Sequence, residues 1–275
     1  MTTPRLTIQP LKQSFGATVR GLDLGKGLTR EVIAEIRAAW LEHQVLLFPG
    51  LNPTEAQHIA LGSAFGGLAA LSRAKDDNRN LRTGGPNNEI FILRSDEARA
   101  ESWHSDVSFT AQPPIGSLAV LRVVPPRGGE TLWSNQYAAY DALSPSIRTL
   151  IDGMQAEHGQ LKTGSSVHPV VLRHAETGRK ALYVSRPFTR RIVGLTQTES
   201  DGLLAMLINH AELEDFQIRW EWSAGDAALW DNRCVTHRGA SNYGKAAREL
   251  HRVTIYAENA TNRVPELPAQ RTAVA

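Results

Sequence analysis

A histidine and an aspartate separated by one residue form the most chemically informative pair in the sequence. They are His104 and Asp106, in a His-Ser-Asp stretch that precedes Val107-Ser-Phe109. If this stretch is a strand, residues i and i+2 point to the same face, so the imidazole and the carboxylate enter one cavity. With a third ligand from a distant strand, they would form a set of two histidines and one carboxylate. Such a set leaves three coordination positions open for non-haem Fe(II) chemistry.

Two rival pairs have comparable spacing, His174-Ala-Glu176 and His210-Ala-Glu212. The first lies in His-Ala-Glu-Thr-Gly-Arg, which is typical of a hairpin tip. The second lies at the end of a predicted helix, where residues i and i+2 do not share a face. We therefore favour the pair at positions 104 and 106, although a pair of this kind is a weak signal by itself.

A second segment gives the chain its clearest likeness to a known family. It is Trp230-Asp-Asn-Arg-Cys-Val-Thr-His237-Arg-Gly, followed by Arg248-Glu-Leu-His-Arg252. With Arg248 eleven residues after His237, this segment resembles the taurine dioxygenase family of Fe(II)/2-oxoglutarate-dependent oxygenases. That family includes phenoxyacetate dioxygenases and alkylsulfatases. Further motifs match in the family's order, over residues from about 5 to 257: Trp103-His-Ser-Asp-Val-Ser-Phe109, Gly128-Gly-Glu-Thr131, Ala139-Tyr-Asp-Ala-Leu-Ser144 and His168-Pro-Val-Val.

The resemblance implies a metal site and a site for a co-substrate. His104, Asp106 and His237 would be the Fe(II) ligands and the catalytic centre. Arg248 matches the arginine that binds the distal carboxylate of 2-oxoglutarate, and Thr131 matches the threonine that hydrogen-bonds the same carboxylate. O₂ would be the second co-substrate.

Three further residues match positions that contact the prime substrate in the family. Arg252 matches the arginine that binds the anionic end of the substrate. Phe188 matches a substrate-contacting aromatic residue, and Val107 matches a residue whose backbone contacts the substrate. The resemblance therefore implies an anionic small-molecule substrate that carries a sulfonate, a sulfate ester or a carboxylate.

The chain departs from the family pattern where substrates are recognised. Ala69-Ala70 stands where taurine dioxygenases carry a substrate-binding His and Tyr, and Ala100 stands in the region of a missing asparagine. The stretch between His158 and His168 is also short, where many relatives insert a longer lid. We expect a more open pocket and a substrate larger than taurine.

The two arginines are predicted to act separately. On a strand from Arg248 to Tyr256 they share one face, and four residues at 3.3 Å each separate them by roughly 13 Å. They cannot grip the same small anion unless the strand bends.

The predicted reaction is hydroxylation of the substrate. Where the hydroxylated carbon carries a sulfate, sulfonate or ether oxygen, the product would collapse to an aldehyde or ketone and release the leaving group. One alternative is a Zn-dependent hydrolase that uses the same three ligands to activate water. Arg248 and Thr131 argue against it, because a hydrolase needs no anchor for 2-oxoglutarate. The other alternative is a non-catalytic jelly-roll binding protein, which the fold alone does not exclude.

The pattern of elements agrees with an α+β chain that has a double-stranded β-helix (jelly roll) core with flanking helices, as the resemblance implies. Helices are expected from Thr29 to His43, from a start at Asn52-Pro-Thr-Glu55, and from a capping box at Thr196–Glu199 to about Glu212. Residues 68–100 are expected to be irregular. Strands are predicted for residues 118–124, 130–133, 170–173, 181–184, 216–222, 227–230 and 249–256.

Composition limits the remaining classes. The 275 residues are 41% hydrophobic and 21% charged, with a net charge of +2, so no strong field favours nucleic acid or an anionic membrane. A single cysteine, Cys234, excludes an internal disulfide. No apolar run reaches the length of a membrane span, and the N-terminus lacks a signal-peptide core. We expect one cytoplasmic domain over residues 1–275 with a mobile tail after about residue 259, and a homodimer or homotetramer by resemblance.

Overall fold

The computed structural model describes residues 6–70, 82–95, 101–160 and 164–258. The helices are α1 (Arg30–His43), α2 (Glu55–Ser63), α3 (Gln136–Ala142), α4 (Pro145–Ile151) and α5 (Gln197–Ala211). The strands are β1 (Thr7–Pro10), β2 (Ala17–Arg20), β3 (Val45–Phe48), β4 (Gly67–Leu68), β5 (Arg82–Gly84), β6 (Ile90–Arg94), β7 (Gly116–Val123), β8 (Thr131–Asn135), β9 (Gln155–Gln160), β10 (Gly164–Pro169), β11 (Val171–Arg173), β12 (Lys180–Leu182), β13 (Thr189–Ile192), β14 (Gln217–Trp220), β15 (Ala227–Asp231), β16 (Val235–Gly239) and β17 (Glu249–Tyr256).

Two sheets face each other and form the core. The larger sheet has nine strands in the order β1-β2-β3-β15-β7-β17-β6-β5, and β4 also pairs with β17. The smaller sheet has the order β14-β8-β16, and both of its pairs are antiparallel. This arrangement, with helices packed on the outside, is the jelly roll with flanking helices that the sequence predicts.

Alternation along the central strands divides the side chains between two cores. In β7, Leu118 and Val120 pack with α1 and α2 on the outer face of the large sheet. Ala119 and Leu121 point the other way and pack with Trp133 of the small sheet. Because successive strand residues point to opposite faces, one short apolar run supplies both cores. The candidate site lies between the two sheets.

A third core forms beside the sandwich. Helices α3, α4 and α5 pack on the sheet β10-β9-β13 and on the hairpin β11-β12 through residues that include Ile151, Ala156 and Leu207. The connection from β12 to β13 carries Phe188, whose carbonyl accepts a hydrogen bond from the Gly159 amide at 2.8 Å. This layer therefore fixes the backbone next to a predicted substrate residue.

The predicted capping box of α5 is confirmed. The prediction that the α2 helix starts with Asn52 as its cap is wrong. The Thr196 hydroxyl and the Glu199 carboxylate cap α5 reciprocally. In α2 the same box is formed by Thr54 and Gln57, and the helix begins at Glu55. Asn52 instead has a φ of +41° and accepts a hydrogen bond from Arg122. A capping residue needs extended backbone angles, which Thr54 has and Asn52 lacks.

Strands with clear apolar patterns are found close to their predicted positions, and β17 has the predicted bounds. The expectation of an irregular stretch over residues 68–100 is wrong for two parts of it. Those parts form β5 and β6, and β6 pairs with β17. Several further elements were not predicted at all: β9, β10, β13, β16, α3 and α4.

The remaining expectations concern membrane crossing, segments outside the described residues and the number of domains. Within the described residues, no helix combines the length and apolar character needed to cross a membrane. The tail after about residue 259, which the sequence predicts to be mobile, lies outside the described residues, as does Ala100. The single domain over residues 1–275 stays a prediction.

Candidate active site

Backbone pairing places the two predicted histidine ligands side by side. His237 lies on β16, which pairs with β8 in the small sheet. His104 pairs with it as an antiparallel bridge, through hydrogen bonds from the His104 amide to the His237 carbonyl (3.0 Å) and in return (2.8 Å). Their ring centroids are 4.3 Å apart. Two residues from distant parts of the sequence thus present their imidazoles to one space.

Asp106 reaches the same space by a turn, so the expectation that it shares a strand face with His104 is wrong. The chain bends directly after it, at Val107, whose φ is +53°. The Asp106 carboxylate nevertheless lies 3.7 Å from Nε2 of His104 and 3.8 Å from Nε2 of His237. One possible ligand atom from each of the three residues lies within 4.8 Å of the other two. The predicted triad is therefore assembled, by a different local geometry.

The protonation of these groups suits a divalent metal. Nδ1 of His104 lies 2.7 Å from the Ser102 carbonyl and donates to it, which leaves the Nε2 lone pair free. Burial lowers the pKa of His237 to about 3, so its imidazole is neutral. Burial alone would raise the pKa of Asp106, but the charge of Arg252 and the two histidines hold it well below the usual range. Two imidazoles and one carboxylate are a ligand set that fits Fe(II) with open positions.

Both oxygens of the Asp106 carboxylate have partners. Oδ1 accepts a hydrogen bond from Nη1 of Arg252 at 2.5 Å, and Oδ2 accepts one from the Ser117 hydroxyl at 2.8 Å. The backbone of the same residue is bound by the Asn232 side chain. Sequence reasoning assigned no role to Ser117 or Asn232. Asn232 stood inside the quoted motif, whereas nothing distinguishes Ser117 from other serines in the sequence.

Arg248 and Thr131, predicted to bind one carboxylate, are neighbours. Nη2 of Arg248 lies 3.4 Å from Oγ1 of Thr131, and its Nε donates to the Gly129 carbonyl at 2.9 Å. Trp222 also donates to Oγ1 of Thr131, at 3.0 Å. A hydroxyl oxygen has two lone pairs, so the Thr131 proton remains available to a ligand. No described carboxylate pairs with Arg248. Burial lowers the pKa of its guanidinium.

The two arginines have separate contacts, as their spacing predicts. Both line a cavity that also exposes His237 and Thr131. A register shift between Glu249 and Leu250 distorts the start of β17, and Arg248 lies just before it. Arg252 lies farther along the strand, where it pairs with Asp106. One cavity thus has a guanidinium at each of two positions.

Aromatic side chains surround the triad. The ring of Phe188 lies 6.1 Å from that of His104 and 5.2 Å from that of Phe109. Trp230 lies 4.8 Å from the His237 ring. Val107, the remaining predicted substrate residue, is partly exposed next to Asp106. The short stretch after His158 belongs to the hairpin β9-β10, whose turn at 161–163 lies outside the described residues.

The rival pairs have structural partners elsewhere. His174 lies in the turn between β11 and β12, and its Nε2 is 3.0 Å from the Asp231 carboxylate. Glu176 pairs with Arg233 at 2.7 Å. His210 lies in the last turn of α5, 2.8 Å from the Ala139 carbonyl. Among the described residues, only the triad brings three potential metal ligands together.

Comparisons with known proteins give one consistent result. The model of the taurine catabolism dioxygenase TauD, TfdA family matches residues 7–254. An alpha-ketoglutarate-dependent sulfate ester dioxygenase of Pseudomonas putida is 30% identical over 92% of this chain and 90% of its own length. An (S)-phenoxypropionate/alpha-ketoglutarate-dioxygenase of Sphingobium herbicidovorans is 33% identical over 86% and 90%. The crystal structure of a taurine dioxygenase from Burkholderia xenovorans superposes with a TM-score of 0.83 at 32% identity, over 93% of this chain and 92% of that one.

Proposed function

This chain belongs to the taurine catabolism dioxygenase TauD, TfdA family, and from that premise we propose how its residues share the work. It is a 2-oxoglutarate-dependent non-haem iron dioxygenase that acts on an anionic small molecule. Bound Fe(II), with 2-oxoglutarate and O₂, supplies the oxidation that converts a substrate C–H bond to C–OH and 2-oxoglutarate to succinate and CO₂. The protein's own contribution is to hold these partners in register and to exclude water.

His104, Asp106 and His237 hold the iron in this proposal. Their geometry leaves one side of the metal position to the cavity, where other ligands have access. Trp230 packs on the His237 ring and lines the same cavity, so it limits the room for water beside that ligand. The lowered pKa values of His237 and Asp106 mean that neither residue has to lose a proton before the metal binds.

Arg248 and Thr131 hold the distal carboxylate of 2-oxoglutarate. The observation that carries this assignment is a partly buried guanidinium with no described carboxylate partner, in the same cavity as the triad. A cation without an anion is costly to bury, and a bound carboxylate removes that cost. The guanidinium offers two parallel donors, and the free Thr131 proton offers a third.

Arg252 binds the anionic end of the prime substrate, with Phe188 and Val107 against its body. The edge-on contact between Phe188 and Phe109 forms an apolar wall near His104, which suits a substrate with an apolar part. We propose a sulfonate, sulfate ester or carboxylate larger than taurine. Hydroxylation next to a sulfate, sulfonate or ether oxygen would then release the leaving group with an aldehyde or ketone.

An anaerobic titration tests this assignment. Metal-free protein is titrated with Fe(II) and then with 2-oxoglutarate, and visible absorbance is recorded. We expect a weak charge-transfer band that Arg248→Gln weakens at matched 2-oxoglutarate concentration. Arg219→Gln is the matched control, because Arg219 is exposed on β14, away from the cavity. A band of equal affinity in both variants would contradict the role of Arg248.

Substrates are then identified on the wild-type protein. Sulfonates, sulfate esters and aryloxy acids are added to the anaerobic complex, and a shift of the band marks a binder. Succinate formed after admission of O₂ measures turnover. Product formation in the strict absence of O₂ would instead favour the hydrolytic alternative.

The predicted homodimer or homotetramer and the cytoplasmic location are also proposals. Light scattering on the purified chain measures the first. Fractionation of the source cell tests the second.

A further inference from the structure

The side chain of Asn232 binds the backbone of a proposed metal ligand at both ends. Its Oδ1 accepts a hydrogen bond from the Asp106 amide at 2.6 Å, and its Nδ2 donates to the Asp106 carbonyl at 2.9 Å. Nδ2 also donates to the Pro114 carbonyl at 2.9 Å. The Asn232 side-chain amide thus makes the two hydrogen bonds to the Asp106 main chain that a residue of a neighbouring strand would otherwise make. Both of its N–H groups are used.

The neighbours of Asn232 in the motif have other partners. Asp231 is bound by Arg233 and His174, and Arg233 also pairs with Glu176. These three contacts form a partly buried polar network on the side of β15 that leads to the β11-β12 hairpin. Asn232 alone among these residues reaches the backbone of the triad.

The backbone that Asn232 holds is strained. Val107 directly follows Asp106, and its φ of +53° lies in the left-handed region. A β-branched residue disfavours that region, so the conformation persists only where its surroundings enforce it. On the far side, the amide and the hydroxyl of Thr110 both donate to the Val107 carbonyl, at 3.1 and 2.9 Å. On the side toward Asp106, the backbone is held by the two hydrogen bonds between the Asn232 side chain and the Asp106 main chain.

We propose that Asn232 is a positioning residue of the metal centre. By holding the peptide groups on both sides of the Asp106 side chain, it keeps Val107 in the left-handed conformation and aims the carboxylate between the two histidines. Without it, Val107 relaxes to an ordinary backbone conformation and the carboxylate turns away. This inference rests on the proposed function, because it takes His104, Asp106 and His237 as the metal ligands.

The test measures metal affinity and metal-free stability in parallel. Fe(II) dissociation constants are measured anaerobically against a competing chelator, and the melting temperature is measured without metal. We expect Asn232→Ala to weaken Fe(II) binding by about tenfold or more, in the range typical of residues that orient metal ligands. The control is Asn135→Ala, which removes another buried asparagine, the cap of α3. It should lower the melting temperature and leave the Fe(II) affinity within twofold of wild type.

A rescue experiment separates positioning from general support. Glycine adopts positive φ at no steric cost, so Val107→Gly should keep the turn accessible when Asn232 is absent. The loss of Fe(II) affinity caused by Asn232→Ala should therefore be several-fold smaller in the Val107→Gly background. The cycle requires four proteins, and the two that carry glycine remain informative if Asn232→Ala alone fails to fold.

Each outcome decides one question. A wild-type protein that binds no Fe(II) would overturn the proposed function. A wild-type protein that binds Fe(II), with Asn232→Ala within twofold of it, would overturn only the positioning role. An equal loss of affinity in both backgrounds would also overturn it, because the strain at Val107 would then be irrelevant. A loss that shrinks in the glycine background supports it.

Discussion

The cavity has two guanidiniums whose surroundings differ in one respect. Arg248, at what we call the co-substrate end, makes its guanidinium hydrogen bonds within the described residues to neutral groups, Thr131 and the Gly129 carbonyl. Arg252, at what we call the substrate end, already binds a carboxylate, that of Asp106. Arg248 directly precedes β17, and Arg252 lies within that strand. The difference arises because the turn at Val107 brings the Asp106 carboxylate to Arg252, whereas the opposite sheet brings the Thr131 hydroxyl to Arg248.

An anion meets different conditions at the two ends. At the co-substrate end it meets the guanidinium of Arg248, which has no described carboxylate partner. At the substrate end it competes with Asp106 for the same guanidinium, or shares it. In the proposed assignment, 2-oxoglutarate therefore enters without breaking an ion pair of the protein, whereas the prime substrate enters at the expense of the contact between Arg252 and Asp106. The following predictions test this comparison.

Removal of Asp106 should have the largest effect. Asp106→Ala deletes the only proposed carboxylate ligand and leaves both arginines without an anion. We expect no measurable turnover and no Fe(II) binding at micromolar metal, measured by succinate formation and by chelator competition. Asp201→Ala, an exposed aspartate on α5, is the control and should behave as wild type. Retained Fe(II) affinity in Asp106→Ala would remove Asp106 from the metal centre.

Replacing each arginine in turn with glutamine should show that the two ends of the cavity bind different anions. Loss of one partner of a desolvated charge pair costs about 2–5 kcal/mol, which is roughly 30-fold or more in affinity. Arg248→Gln should raise the KM for 2-oxoglutarate by that factor and leave the KM for the prime substrate nearly unchanged. Arg252→Gln should do the reverse, and should also weaken Fe(II) binding because Asp106 loses a partner. Equal effects on both KM values in either variant would mean that the ends are not separate sites.

A ligand added without metal should reveal the co-substrate end. Because Arg248 has no described anionic partner, 2-oxoglutarate should raise the melting temperature of metal-free protein. The shift should be about 2–4 °C for each kcal/mol by which bound 2-oxoglutarate raises the free energy of unfolding. The shift should vanish in Arg248→Gln and persist in Arg252→Gln. Thermal denaturation of the metal-free protein over a series of 2-oxoglutarate concentrations measures it, and a shift that survives Arg248→Gln would show that the anion binds elsewhere.

Loss of the second partner of the carboxylate should have the smallest effect. Ser117→Ala removes one hydrogen bond to Oδ2 of Asp106, and we expect Fe(II) affinity to fall roughly tenfold. Ser134→Ala is matched to it, since Ser134 is also a buried serine and donates to the Ala211 carbonyl. That control should lower stability without changing the metal affinity. A similar Fe(II) constant for the two variants would assign Ser117 a purely structural role.

The sequence predicts the elements that carry their own apolar pattern. Strand β17 has the predicted bounds because its alternating residues face the two cores that its neighbours share. Strand β16 escapes prediction because Val-Thr-His-Arg-Gly contains a single aliphatic residue and forms a strand only by pairing with β8. Strand β6 differs, because Ile-Phe-Ile-Leu-Arg does carry an apolar run, which the prediction of an irregular stretch overlooked. It pairs with β17, and the short strand β5 pairs with β6.

The candidate site divides in the same way. Residue types and order identify His104, Asp106 and His237 by resemblance, and the structure brings them together. The local geometry was not predictable, because Asp106 lies in a turn rather than on a strand. That turn is held by Asn232, 126 residues farther along the chain, and no short-range pattern indicates such a contact. Ser117 is closer in the chain, 11 residues after Asp106, but no motif in the sequence marks it as a partner of that carboxylate.

This long separation has a kinetic consequence. His104 and Asp106 lie on one segment near residue 105 and His237 lies on another near residue 235, so no pair of histidine ligands exists until both sheets have formed and met. Contacts that close long loops form late, since their entropy cost precedes their reward. Iron should therefore leave the refolding rate unchanged and slow only the unfolding rate. Stopped-flow refolding and unfolding with and without Fe(II) measure both rates, and faster refolding with iron would mean that the site forms early.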